Sequence, residues 1–217
     1  MSFKTYPILW IVLCCFGFPS GAFGQYIQKE TIDGKTYAVI YADGLAGAAQ
    51  WGIGVKMMRN GATIRHQVSK GNRGNLSVND RIPFRFIVAT EDVGNNNGNW
   101  MTAQGVNSGG KDENSDFSAE GNTGCRQYGA AGQPGEGRQW RVPTQRELQL
   151  IWMFRQPIGL IYNTHPMEES GKTKRYWAST EKGATDAWFF EFAPAKPYCD
   201  TQAKSTANGM VRCVSDY

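Results

Sequence analysis

The chain has 217 residues, 26 of them glycine, with 12% aromatic side chains and a formal net charge of +4. Lysine and arginine are interspersed with aspartate and glutamate, whereas a nucleic-acid binder gathers its basic residues into a stripe, so nucleic acid is excluded as a partner. Past residue 24 no apolar run approaches the roughly 20 residues that span a bilayer, and the length suits one domain with its own core.

Lys4 gives a positive start, Pro7 to Phe18 is almost wholly apolar, and Ala22-Phe23-Gly24 puts small residues where a signal peptidase reads. These parts in this order predict a cleavable leader over residues 1–24, with Gln25 first in the exported chain. A lipid anchor fits poorly, because Cys14 follows Leu13 and Cys15 follows Cys14 where a small residue is needed. Export means an oxidising compartment, and two of Cys125, Cys199 and Cys213 can pair there, leaving one over. No CxxC or Cys-His spacing points to zinc, and His66 and His165 lie far apart.

Ile27 to Ile32 and Lys35 to Tyr41 read as strands joined by Asp33-Gly34, the strongest short hairpin signal. Val55 to Met58 and Ala62 to Val68 flank Asn60-Gly61 and predict a second hairpin. Ile82 to Thr90 predicts a strand with Phe84, Phe86 and Val88 on one face and Arg85 and Ile87 on the other. From Glu91 to Arg138 the composition is that of a long loop, docked on the core at Trp100-Met101. Thr144 to Glu147 forms a capping box after Pro143, and Leu148, Ile151, Trp152 and Arg155 follow at helical spacing, so one main helix is expected over about 145–155, ending before Pro157. Arg175 to Thr180, Ala187 to Phe192 and Met210 to Ser215 read as strands, with Glu181 to Asp186 and Ala193 to Gly209 as their loops. On the middle strand Trp188, Phe190 and Phe192 share what reads as a core face.

The second half carries an ordered set: Gly124-Cys125-x-x-Tyr128, then Trp140-Arg141-Val142-Pro143-Thr144-x-x-Glu147-Leu148, then Tyr176-Trp177-Ala178-Ser179-Thr180, Ala187-Trp188, and Val211-Arg212-Cys213-Val214-x-Asp216. This set resembles the Lcl C-terminal and Fibrobacter major paralogous domains, small C-type-lectin-like modules of bacterial surface proteins, with the flavour of the module in Bacteroidales surface and fimbrial-tip-like proteins. The resemblance covers about 82–217. It implies an α+β fold with a loop-rich mixed sheet, preceded here by a β-rich segment over 25–81, and a Cys125–Cys213 disulfide. Closing so long a loop contributes roughly 4–5 kcal/mol in the chain-entropy model. Cys199 is then free, buried, or bonded to another chain. Trp140, Pro143, Trp177 and Trp188 read as structural, as do Arg141, Thr144 and Glu147 around the helix start.

Chemistry finds little support. Formylglycine-generating enzymes share the general fold class but need a dedicated cysteine pair, and two distant histidines give no Ser-His-Asp arrangement. Glu91-Asp92 and Glu168-Glu169 read as solvated charges. Asp112-x-Asn114-x-Asp116 starts like a calcium loop, but Phe117 and Thr123 stand where glycine and glutamate are required. Gly129 to Gly137 lacks the Gly-Lys-Ser/Thr ending of a phosphate loop. No cofactor and no metal are expected. The expectation is a non-catalytic binding or adhesion module outside the cell, on a bacterial outer surface or in the periplasm, binding a glycan or protein ligand. Its candidate ligand residues are Glu181, Lys182, Asp186, Lys196 and Tyr198, with Gly94 to Asn99 behind them. The alternative is a structural subunit of a fimbria-like assembly that recognises only its partner subunits, marked by a long exposed β-edge within residues 25–90.

Overall fold

A computed structural model describes residues 25–41, 55–57, 64–66, 85–105, 123–164, 167, 174–181, 185–193 and 197–217, with the backbone path alone for 55–57, 64–66, 94–97 and 181. In chain order the elements are β1 (Tyr26–Ile32), β2 (Lys35–Tyr41), β3 (Val55–Met57), β4 (Ile64–His66), β5 (Arg85–Val88), β6 (Val93–Gly98), α1 (Trp100–Gln104) and α2 (Gly124–Tyr128). Then come α3 (Gln145–Met153), α4 (Arg155–Tyr162), β7 (Lys174–Glu181), β8 (Asp186–Phe192), β9 (Tyr198–Ala203), β10 (Gly209–Val211) and β11 (Val214–Asp216). The protein is mixed α+β, with a four-stranded sheet ordered β1-β2-β5-β11, a five-stranded sheet ordered β6-β10-β7-β8-β9, and a separate β3-β4 pair. The expected leader and Asn60-Gly61 turn, together with Phe84, His165, the Asp112 to Asp116 run and Glu168-Glu169, lie outside the described residues.

The first hairpin forms as its turn dictates. Asp33 and Gly34 both have positive φ, +51° and +76°, the backbone of the two-residue turn whose twist matches the flanking strands. β2 then pairs antiparallel with β5, Ala38 opposite Val88 and Ile40 opposite Phe86, and β5 with β11, Val214 opposite Val88. The sheet therefore crosses the 81/82 boundary expected from sequence, and residues 25–41 share sheet and core with the second half. Tyr37, Val39 and Tyr41 join Ile87, Trp100, Trp140 and Trp177 in one buried cluster. Ala38, Ile40, Phe86 and Val88 join Leu148, Ile151, Tyr176 and Phe192 in the other. Burial on both faces accounts for the uninterrupted apolar stretches Tyr37 to Tyr41 and Phe86 to Ala89, with Arg85 exposed at the start of β5.

The capping box is present as expected. The Thr144 hydroxyl accepts from the Glu147 amide, and the Glu147 carboxylate accepts from the Thr144 amide at 2.8 Å. One main helix becomes two. α3 ends at Met153 and α4 starts at Arg155, which puts Pro157 third in a new helix. There its missing N–H costs nothing, since the first four amides of a helix have no intrahelical partner, whereas continuing α3 would set the ring against the Met153 carbonyl.

Three other expectations need correction. The expected Met210 to Ser215 strand is split: β10 and β11 belong to different sheets, because Arg212 and Cys213 turn inward to bond elsewhere. The Ala193 to Gly209 loop contains β9, and Glu91 to Arg138 contains β6, α1 and α2. β6 has no strand-forming composition, and its Gly98 and Val93 are held by Gly209 and Val211 of β10. Gly124 opens α2 at φ +53°, where a Cβ would stand 2.3 Å from the Ala103 and Thr102 carbonyls. That close approach brings the Cys125 helix against α1.

Candidate functional site

The ordered motif builds a frame around the last strand. Cys125 and Cys213 form a disulfide across a sequence separation of 88. The residues on either side of Cys213 are fastened too. Arg141 and Val214 exchange both backbone hydrogen bonds at 2.9 Å. The Arg141 guanidinium donates to both Glu147 oxygens, at 2.8 and 2.6 Å, and to Asp216 Oδ1 at 2.8 and 3.2 Å. Arg141 is 2% exposed and Glu147 0%. Burial alone would push this guanidinium down, but Glu147 and then Asp216 outweigh it and hold Arg141 protonated above its ordinary range.

Arg212 is bound on the opposite side. It donates to Asp92 at 2.7 Å and to the Ala89 carbonyl at 3.0 Å, while Tyr176 donates to Asp92 at 3.0 Å and Lys174 lies 3.5 Å away. The reading of Glu91-Asp92 as solvated is thus corrected for Asp92, which closes an ion cluster between β7 and the residues flanking β6 and β10; Glu91 is exposed. Nothing local marks Asp92 in the sequence, because its partners come from 82 to 120 residues away.

The tryptophans serve packing. Trp140 and Trp177 are buried, and each indole N–H finds a carbonyl, Gly135 at 2.7 Å and Gly98 at 2.9 Å, as burial of an indole demands. Pro143 is buried, and its carbonyl accepts from the Ser179 amide at 2.7 Å. Trp188 is half-buried against the α3–α4 cluster.

Of the five loop candidates, side chains are described for Asp186 and Tyr198 alone, and these two are not brought together. Lys182 and Lys196 lie outside the described residues, and of Glu181 only the backbone is described, at the end of β7. Asp186 opens β8 opposite Ala203, whereas Tyr198 opens β9 opposite Glu191. At about 3.3 Å per residue this sets Asp186 and Tyr198 roughly 17 Å apart along the sheet. β9 divides the expected loop, so that Pro197 and residues 204–208 lie at its opposite ends. The 204–208 end is tied to Thr185 and to Trp100 by Lys204, at 2.8 and 3.0 Å. Tyr198 donates to Glu191, which also binds Arg175, both at 2.9 Å.

Cys199 carries a free thiol, half-buried between the Gln145 amide at 2.9 Å and the Phe189 carbonyl at 3.1 Å. Burial pushes this thiol up despite the lowering hydrogen bond from Gln145, which suppresses the reactive thiolate. In the folded protein at pH 8, alkylation of Cys199 by iodoacetamide should run at least about tenfold slower than in urea, read by mass spectrometry of timed quenches. Equal rates would contradict the placement of this side chain. Among the described residues no group of three His, Cys, Asp or Glu side chains is placed to hold a metal ion, and no helix is long and apolar enough to cross a membrane.

A cavity of about 360 Å³ opens beside the frame, lined by Asp33, Arg138, Gln139, Arg141, Ser215 and Asp216. Sequence reasoning gave these residues no ligand role, since they come from the first hairpin turn, a glycine-rich loop and the last strand. Asp216 is 43% exposed, and Arg141 holds it through Oδ1. Arg138 meets Asp33 at 3.6 Å, a loose pair in which Asp33 is 86% exposed. Such a wall can hold a polar ligand; it supplies no nucleophile beside a base. In comparisons with known proteins, no family model and no curated protein matches this chain.

Proposed function

We propose that the protein is an exported, non-catalytic binding module of a bacterial cell surface, with a C-type-lectin-like fold over about 82–217. The observation that carries this reading is how the chemically capable side chains are used. Arg141 is bonded to Glu147, and Arg212 and Tyr176 to Asp92, in two sets on opposite sides of the frame, and two of the three cysteines past the leader form the disulfide. What faces solvent from that frame is a polar cavity. The lectin-like reading draws support from β5 and β11, the first and last strands of that stretch, which pair with each other while the chain between them folds back as a second sheet. The disulfide implied by the resemblance also joins α2 to the start of the last strand. A formylglycine-generating activity is disfavoured, because Cys199 has no second thiol beside it among the described residues.

The alternative, an assembly subunit, is favoured by one specific observation. β1 is a seven-residue edge strand, paired on one side by β2, and most of its side chains are exposed. Such an edge is a template for another strand.

The test is expression of the whole chain with its own leader in a Gram-negative host. The expected product starts at residue 25, is cleaved by protease added to intact cells, and binds components of a glycan and extracellular-protein array in the presence of EDTA. Retention in the cytoplasm with the leader intact would sink the reading, as would turnover of a substrate by the purified protein.

A further inference from the structure

The cavity lies where a strand ladder comes apart. Arg141 and Val214 make a full bridge, so in antiparallel register Gln139 would face Asp216 next. Instead the chain at 137–139 swings away, and the cavity fills the gap. Backbone groups alternate sides along a strand. Cys213 accepts from Ala89 on the β5 side, and Val214 bonds outward to Arg141. The Asp216 N–H and C=O therefore point outward as well, into the mouth. Among the described residues no backbone group meets them, and the carbonyl receives the Ser215 hydroxyl at 3.4 Å.

Three features thus meet in one place: a main-chain donor and acceptor at a strand edge, a carboxylate with one oxygen unused, and a loosely paired guanidinium. Resting on the binding-module reading above, we infer that this mouth docks an extended segment of a partner polypeptide that carries one basic and one acidic side chain. The segment adds beside the end of β11. Its main chain bonds Asp216, its basic side chain meets Asp216 and Asp33, and its acidic side chain meets Arg138. Main-chain pairing at an edge gives affinity, and the flanking charges give selectivity. A hydroxyl ligand would satisfy the same polar atoms, but the lining offers no aromatic face, and its fixed charges of both signs match a partner that is itself charged at both positions.

The test uses the isotope-labelled exported protein and capped heptapeptides in which valine alternates with lysine and glutamate, or with threonine in place of the charged residues. The mixed-charge peptide should saturably shift the amide signals of Gly137, Gln139 and Asp216. The threonine peptide, and the mixed-charge peptide on Arg138→Glu or Asp33→Asn, which keeps a residue suited to the positive φ, should bind about tenfold more weakly. Both substitutions are at the rim, and an unchanged unfolding midpoint shows each variant folded. No shift at millimolar peptide overturns the site, and so does equal binding of both peptides by all three proteins. Shifts at Tyr26 to Ile32 instead would move strand addition to β1. Shifts from methyl glycosides with none from peptides would overturn the docked segment while leaving the binding-module reading intact.

Discussion

Glu147→Ala is expected to lower the unfolding free energy by roughly 3–5 kcal/mol in urea titrations, the cost of stranding one member of a buried ion pair. Glu147 is fully buried and accepts four bonds, two from Arg141 and two from Thr144. Without it Arg141 keeps a single carboxylate, Asp216, which is half in water. The reciprocal half of the capping box is lost as well, because the Thr144 amide loses its acceptor while the Thr144 hydroxyl still caps the amide at 147. The loss should come from stranding the charge rather than from deleting the contact, and a second variant separates the two. Arg141→Met combined with Glu147→Leu removes both charges at similar volume, and should cost less than Glu147→Ala alone. A single substitution costing under about 1 kcal/mol would mean the pair is solvated.

Removing the disulfide through Cys125→Ala with Cys213→Ala is expected to cost roughly 2–5 kcal/mol, in proportion to the long loop it closes. Substituting both cysteines keeps either from being captured by Cys199. The bond and the Arg141 network fasten neighbouring residues of the same last strand, Cys213 on one side and Val214 and Asp216 on the other. Their losses should therefore be non-additive, as expected for elements in contact. Thermal unfolding with and without a thiol reductant reads the same quantity on the unaltered chain. A midpoint that does not move would show that the bond contributes nothing to stability.

Local signals that win locally were legible in the sequence. Asp33-Gly34 needs only its own backbone to turn, and Thr144 with Glu147 completes a cap within four residues. The apolar runs of β2, β5, β7 and β8 announce themselves because burial requires them. Elements held by distant partners were not legible. β9 reads Tyr-Cys-Asp-Thr-Gln-Ala, an edge strand with little to bury. β6 is mostly glycine and asparagine and is a strand because β10 lies beside it. The break in the last strand follows from Arg212 reaching Asp92, 120 residues away. The site was less legible than the fold. Arg141 and Glu147 stood out through the motif and are framework, while Arg138 and Asp33 meet only once the first hairpin packs against the glycine-rich loop.

The frame around the last strand is the claim on which the rest stands, and a non-reducing peptide map of the protein, expressed as the whole chain, tests it most directly. The account predicts a Cys125–Cys213 peptide, with Cys199 recovered as a thiol that alkylates much faster once the chain is unfolded. A peptide joining Cys199 to Cys125 or Cys213 would contradict the frame, detach the last strand from α2, and reopen the enzyme reading.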